Sequence, residues 1–222
     1  MDILNFVSWL KKGKYSLTMP AGAVTVVGVP NTNRGDAYLP VTVPVTAFGG
    51  STGSNIGKLI GGGIVVAEWD DAGVKKALIA SLTNLAINLP WTVFAQQGNT
   101  IGSAAESYSN GLTNTNAIIA QTGAAATTAY AAGIARLHNG GLFSDWYLPS
   151  AWELNMCYNS AAVVNKILGS TNGFQTNLFS FYWSSTEYQG TNAVGQAFVD
   201  GAIQSLVKGD LQYVRAVRIH TL

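Results

Sequence analysis

The chain changes its hydrophobic period at Gly173, and that change limits the folds open to it. From Ser150 onward Leu154, Cys157, Tyr158, Ala161, Val164 and Leu168 recur at helical spacing. After Gly173 the apolar residues alternate instead, in short runs broken by turn residues. Helical and strand periods cannot be exchanged without moving every apolar side chain off its buried face, so the two stretches are different elements. Ser150 and Glu153 mark the start of the helix as a capping box, in which the hydroxyl accepts from the Glu153 amide and the carboxylate reaches back to the cap. Cys157 falls in the apolar stripe of this helix, where a small buried residue is expected and not a nucleophile.

The strands that follow are Tyr182–Ser185, Ala193–Val199 and Ala202–Val207, the last two joined by the two-residue turn Asp200-Gly201. Gly209-Asp210 turns the chain again, and Tyr213–Ile219 is predicted to end it as one strand. Upstream, Ile64–Glu68 and Lys75–Ala80 flank Asp70-Asp71-Ala72-Gly73, a hairpin signal. Two helices are predicted between these β regions, Asn114–Ala120 and an alanine-rich one over Ala124–Leu137. A hairpin, then helices, then an antiparallel meander makes the class α+β, and pairing of its first and last strands would bring the ends together.

A second boundary lies further upstream. Residues 49–63 hold seven glycines in fifteen positions and read as a linker. Before it, residues 1–48 are predicted to form a short apolar helix, Ile3–Lys12 capped by Asp2, and two β-branched runs, Val24–Val29 and Tyr38–Val45. Pro40 and Pro44 each remove a ladder donor, so the second run is expected to be an edge strand or an irregular extended arm. Arg34-Gly35-Asp36 matches an adhesion tripeptide, but Asn33–Asp36 reads more simply as a turn. Residues 64–222 make the second domain.

Charge narrows the functions. Only 10% of residues are charged, while 19 Thr, 17 Asn, 16 Ser and 25 Gly fill over a third of the chain. A net charge of +1 supplies too little phosphate neutralisation for a nucleic-acid partner. No apolar run approaches a membrane span, and Lys11, Lys12 and Lys14 follow the apolar N-terminal stretch instead of preceding it, so no export signal is expected. One cysteine excludes a disulfide framework, and His138 and His220 stand too far apart for most metal-site spacings. Asp70-Asp71 offers too few oxygens for calcium. Gly61–Gly63 lacks the lysine and helix of a phosphate loop. No cofactor, metal or enzymatic activity is expected.

Six blocks in order carry a resemblance: Gly62-Gly63-Ile64-Val65-Val66; Ala77-Leu78-Ile79-Ala80; Thr115-Asn116-Ala117-Ile118-Ile119; Ser144-Asp145-Trp146-Tyr147-Leu148-Pro149-Ser150 with Glu153-Leu154-Asn155 and Tyr158; Tyr182-Trp183-Ser184-Ser185-Thr186-Glu187-Tyr188; and Tyr213-Val214-Arg215-Ala216-Val217-Arg218. Over residues 61–222 the chain resembles the C-terminal domain of the Legionella collagen-like adhesins and its bacterial and phage relatives. The resemblance implies a C-type-lectin-like fold of the formylglycine-generating-enzyme type, used as a binding module on surfaces or virions. The tandem cysteines of the oxidising enzymes are absent, as are the Glu-Pro-Asn and Trp-Asn-Asp triplets of calcium-dependent lectins. More weakly, Asn5–Lys12 and Gly28–Asp36 resemble the opening segments of phage virion proteins.

These readings lead to one functional expectation: a virion fibre or decoration protein, assembled in a host cytoplasm, that docks on other virion proteins through residues 1–48. Its lectin-like domain would display a neutral face to a host-surface ligand such as a glycan. The expected ligand contacts are Tyr188, Gln189, Asn192, Gln196, Gln204 and Lys208, with Asn192, Gln196 and Gln204 sharing one strand face. A fibre role favours a trimer. The alternatives are a bacterial surface adhesin and a protein that only cements a capsid. Trp146, Tyr147, Trp152 and Trp183 are expected in the core. Of Arg215 and Arg218, three apart on one strand, at most one is expected to be buried against Asp145, Glu153 or Glu187.

Overall fold

A computed structural model describes residues 15–18, 23–28, 41–44, 53–177 and 180–222, and the chain divides into two units, Met1–Ser54 and Asn55–Leu222. In the first unit three antiparallel strands, β1 (Tyr15–Thr18), β2 (Ala23–Gly28) and β3 (Val41–Pro44), lie in the order β1-β2-β3. The proline-bearing strand is at the edge, as the missing donor requires. The expected helix Ile3–Lys12 and the Arg34–Asp36 tripeptide lie outside the described residues.

The second unit is mixed helix and sheet, α+β as its periods require. β4 (Leu59–Ile60), β5 (Gly63–Asp71) and β6 (Val74–Ala80) form an antiparallel set. The β5–β6 turn is Ala72-Gly73, both at positive φ, and the Asp70 carboxylate accepts the Gly73 amide at 2.7 Å. β7 (Ala86–Leu89) follows. Then come helices α1 (Gly111–Gln121), α2 (Ala131–Leu137) and α3 (Ala151–Asn172), and strands β8 (Phe181–Gln189), β9 (Asn192–Ala197), β10 (Ile203–Val207), β11 (Gln212–Val214) and β12 (Val217–Thr221). One sheet runs β10-β9-β8-β11-β7 and the other β12-β6-β5-β4.

The Ser150–Glu153 capping box is present, and α3 keeps helical geometry up to Gly169, whose φ of 75° breaks it just past the last apolar position, Leu168. α1 begins at an Asn110 cap that accepts from the Thr113 amide. α2 is half the predicted length. Ala124 and Ala125 are exposed and bury nothing, and alanine propensity alone does not hold a short helix; Ala131, Ala132 and Ala135, by contrast, pack in the core.

The predicted final strand is two strands. It breaks at Arg215-Ala216, where the chain passes from one sheet to the other, because β11 pairs with β7 and β8 while β12 pairs with β6. The last strand thus joins the second strand of the hairpin, not the first. Arg215 lies in the break itself and Arg218 on β12; both are buried, but only Arg218 is buried against one of the named carboxylates, Asp145, as expected.

Two apolar clusters fill the unit. One joins Val65, Ile79, Trp91, Ile118, Trp146 and Trp183. The other lies under α3 and joins Ile64, Val66, Leu154, Cys157, Tyr182 and Phe198. β5 feeds both, which is why Ile64–Val66 is a continuous apolar run instead of an alternating one. Trp152, expected in the core, is 61% exposed at the first turn of α3, where the buried positions belong to Ala151, Glu153 and Leu154.

Candidate functional site

The strongest charge arrangement in the second unit lies beneath the β8–β9 hairpin. Glu187 and Lys208 are both fully buried, 2.5 Å apart. The Glu187 carboxylate also accepts the amides of Ile101, at 2.9 and 3.0 Å, and Gly102, at 2.6 Å. Lys208 donates to the Asn99 carbonyl at 2.7 Å and sits 5.0 Å from the centre of the Trp91 ring. Trp91 in turn donates from its indole to the Ser184 carbonyl, and its amide donates to the Lys208 carbonyl. A buried charge is tolerated only when paired and hydrogen-bonded, and here every partner is supplied. The result is mechanical: the loop through Asn99–Gly102 is fastened to the end of β8.

The same geometry corrects two of the expected ligand contacts. Lys208 is sealed in the core and holds Glu187, so it meets no ligand. Gln196 is also buried; its amide donates to Asn155 Oδ1 at 2.8 Å and to the Gly201 carbonyl at 3.1 Å, tying β9 to α3. Asn192 and Gln196 share a strand face as expected, but Gln204 does not. Ile203 lies opposite Gln196 and Gln204 opposite Gly195, so Gln204, though exposed, is on the other face from Asn192 and Gln196. Counting from the turn without the cross-strand register put it on the wrong side.

Tyr188, Gln189 and Asn192 remain at the surface. Tyr188 is 49% exposed and Gln189 is exposed beside it. The Asn192 amide donates to Ser205 Oγ at 2.9 Å, and Thr191 Oγ1 donates to Asn192 Oδ1 at 2.9 Å. The hairpin turn at Gly190, with φ at +37°, passes close to Thr100 of the fastened loop. That loop region adds Gln96, Gln97, Asn99 and Thr100, and Phe94 at 89% exposure. Sequence reasoning missed these, because an irregular loop has no period and only its amide-rich composition, Gln96-Gln97-Gly98-Asn99-Thr100, marks it. While exposed Glu106 and Asp210 stand at neighbouring positions, the residues named are uncharged, offering amides, hydroxyls and aromatic rings. Such groups recognise hydroxylated ligands by directional hydrogen bonds and stacking.

Several other titratable groups are committed to structure. Glu153 accepts from the Tyr147 hydroxyl at 2.7 Å and from the Ser150 and Gly111 amides. Arg218 makes two bonds to Asp145, at 2.6 and 2.9 Å, holding that carboxyl below its ordinary pKa, and lies 3.8 Å over the Phe143 ring. Arg215 has no carboxylate partner. It donates to Asn84 Oδ1 and the Asn172 carbonyl and lies over Phe174, and burial pulls its pKa down to about 10. Burial pushes the Cys157 thiol up to about 12, so it is not an activated nucleophile. Asp70 is spent on its turn and Asp71 on Lys76. Among the described residues no group of three metal-binding side chains occurs, and no helix is long and apolar enough to cross a membrane. No protein-family model matches the chain, and no curated protein matches it.

Proposed function

We propose that the protein is a non-enzymatic virion component in which residues 1–48 dock on the particle and the Asn55–Leu222 unit, a C-type-lectin-like module, presents a ligand face to a host-surface glycan. The observation that carries the reading is the uncharged surface of Tyr188, Gln189 and Asn192 held beside an amide-rich loop by the sealed Glu187–Lys208 pair. A rigid support lowers the ordering cost of binding, and a neutral face suits a ligand rich in hydroxyls. The ordered motif blocks support the lectin-like assignment.

The test is binding of the full chain to a panel of neutral and sulfated glycans. Binding to a neutral glycan is expected, reduced about tenfold or more by Tyr188→Ala or Asn192→Ala at unchanged melting temperature, as for the anchor residues of an interface. Absence of binding to every neutral glycan overturns the ligand reading. Loss of the protein from purified particles when residues 1–48 are deleted is the expected outcome for docking, and unchanged incorporation overturns it.

A further inference from the structure

The outer edge of β10 is open for pairing. The Ala202 carbonyl accepts from the Ala197 amide and the Lys208 amide donates to the Thr191 carbonyl. In the register that sets Gln204 opposite Gly195, these bonds place Ala202, Gln204, Leu206 and Lys208 in the ladder with β9. The backbone groups of Ile203, Ser205 and Val207 therefore point away from the sheet. Val207 is satisfied locally, since its amide donates to Asp210 Oδ2 at 3.2 Å and its carbonyl accepts the Asp210 amide at 2.8 Å. For the outward amides and carbonyls of Ile203 and Ser205 the described residues supply no partner.

Edge strands are ordinarily protected by charge, proline, a bulge or a covering segment. The other edges of the second unit follow this rule. β12 is bridged at Val217 by Tyr147 and carries Arg218 and His220; β7 is four residues long and runs into Pro90; β4 has two residues. Ile203-Gln204-Ser205-Leu206-Val207 has no charge, no proline and no bulge, and Ile203 and Val207 are half exposed.

We propose that β10 pairs with β10 of a second copy, antiparallel about a two-fold axis through Gln204. Ile203 of each chain then exchanges both backbone bonds with Ser205 of the other, which satisfies all four open groups. The pattern is self-complementary, as a two-fold contact requires. Asp210 caps the edge at Val207 and fixes where the pairing stops. A strand edge this short buries less than the ~1,000 Å² of a stable interface, so the pair is weak between free molecules and gains weight where copies are held together. A two-fold axis normal to the sheet keeps Asn192 and Ser205 of both copies on one side. If the proposed glycan face is real, the pair is bivalent; the pairing itself does not depend on that reading.

The test uses the full chain with Gln204→Cys. The only native cysteine, Cys157, is buried, so the new thiol is the only accessible one. Gln204 would face its own copy at a non-hydrogen-bonded pair, where Cα atoms lie about 4.5 Å apart, within the range a disulfide spans. Under mild oxidation the covalent dimer is expected to form about tenfold faster or more than with Asn159→Cys, an exposed position on α3, because pairing raises the local thiol concentration. Adding Ser205→Lys should return the rate to that of Asn159→Cys at an unchanged circular dichroism spectrum. Equal rates for the two cysteine variants overturn the proposal. Sedimentation velocity of the unmodified chain and of Ser205→Lys gives an independent answer if the cysteine variant fails to fold. The average mass should rise with concentration in the unmodified chain and be lower at matched concentration in the variant, and identical profiles overturn the proposal.

Discussion

Two ion pairs brace the Asn55–Leu222 unit, and they are built on opposite plans. Glu187–Lys208 is sealed, with both side chains at zero exposure and each held by further backbone bonds. Arg218–Asp145 is open on one side: the guanidinium is buried between Asp145, the Gly61 carbonyl and the Phe143 ring, while the Asp145 side chain is half in water. In the sealed pair neither partner can be lost without stranding the other. In the open pair the carboxylate can fall back on solvent, so the pair acts as a fastening and carries less of the structure.

That contrast can be broken by substitution. Lys208→Met leaves the Glu187 carboxylate buried without its cation and should cost about 3–5 kcal/mol in urea unfolding. The same variant should loosen the Asn99–Gly102 loop, seen as faster amide exchange at Ile101 and Gly102. A cost no greater than that of Asp145→Asn would erase the distinction between the two pairs. Arg215→Met tests a buried cation that lacks a carboxylate altogether. Asn84 Oδ1 keeps the Tyr182 hydroxyl as a donor and the Asn172 carbonyl loses one, so about 1–2 kcal/mol is expected, clearly below Lys208→Met.

The open pair should show itself in acid. The Asp145 carboxyl has its pKa lowered in the fold, chiefly by its hydrogen bonds to Arg218, so its contribution is present above the unfolded carboxyl pKa of about 4 and is lost as pH falls through the folded value. Asp145→Asn should flatten that acid limb of the stability curve; an unchanged slope would remove Asp145 from the account. Smallest of all, Trp152→Ala should change stability by no more than about 0.5 kcal/mol, since the indole is mostly in water. A thermal shift as large as that of Trp183→Ala would mean the ring is covered.

The elements that could be read from sequence are those whose signal is local. The Ser150–Glu153 box, the Asp70–Gly73 turn and the apolar spacing up to Leu168 each depend on residues a few positions apart, and each is found where its signal lies. What could not be read depends on partners far along the chain. The strand break at Arg215-Ala216 exists because β11 and β12 answer to different sheets, and no residue there is a turn former. Lys208 looked like a surface lysine because its partner, Glu187, stands across two strands. Gln204 falls on the other side for the same reason, since its side is set by cross-strand register, whereas Gln196 keeps the side expected for it but is covered by α3. Trp152 was assigned to the core by size alone, although its neighbours occupy the buried stripe.

The passage of the chain between sheets at Arg215-Ala216 has a kinetic consequence. Residues 212–221 give one strand to each sheet, and Val217 closes against Ala80 across most of the unit. Neither sheet is complete until this stretch has been synthesised, so β6 keeps one edge unpaired for most of the unit's synthesis and β8 keeps one edge open until β11 emerges. Long-range closure of this kind makes for slow folding and leaves apolar strands open to association in the interval. The unit is therefore expected to depend on chaperone protection during its own synthesis, however stable it is once the last strand is in place.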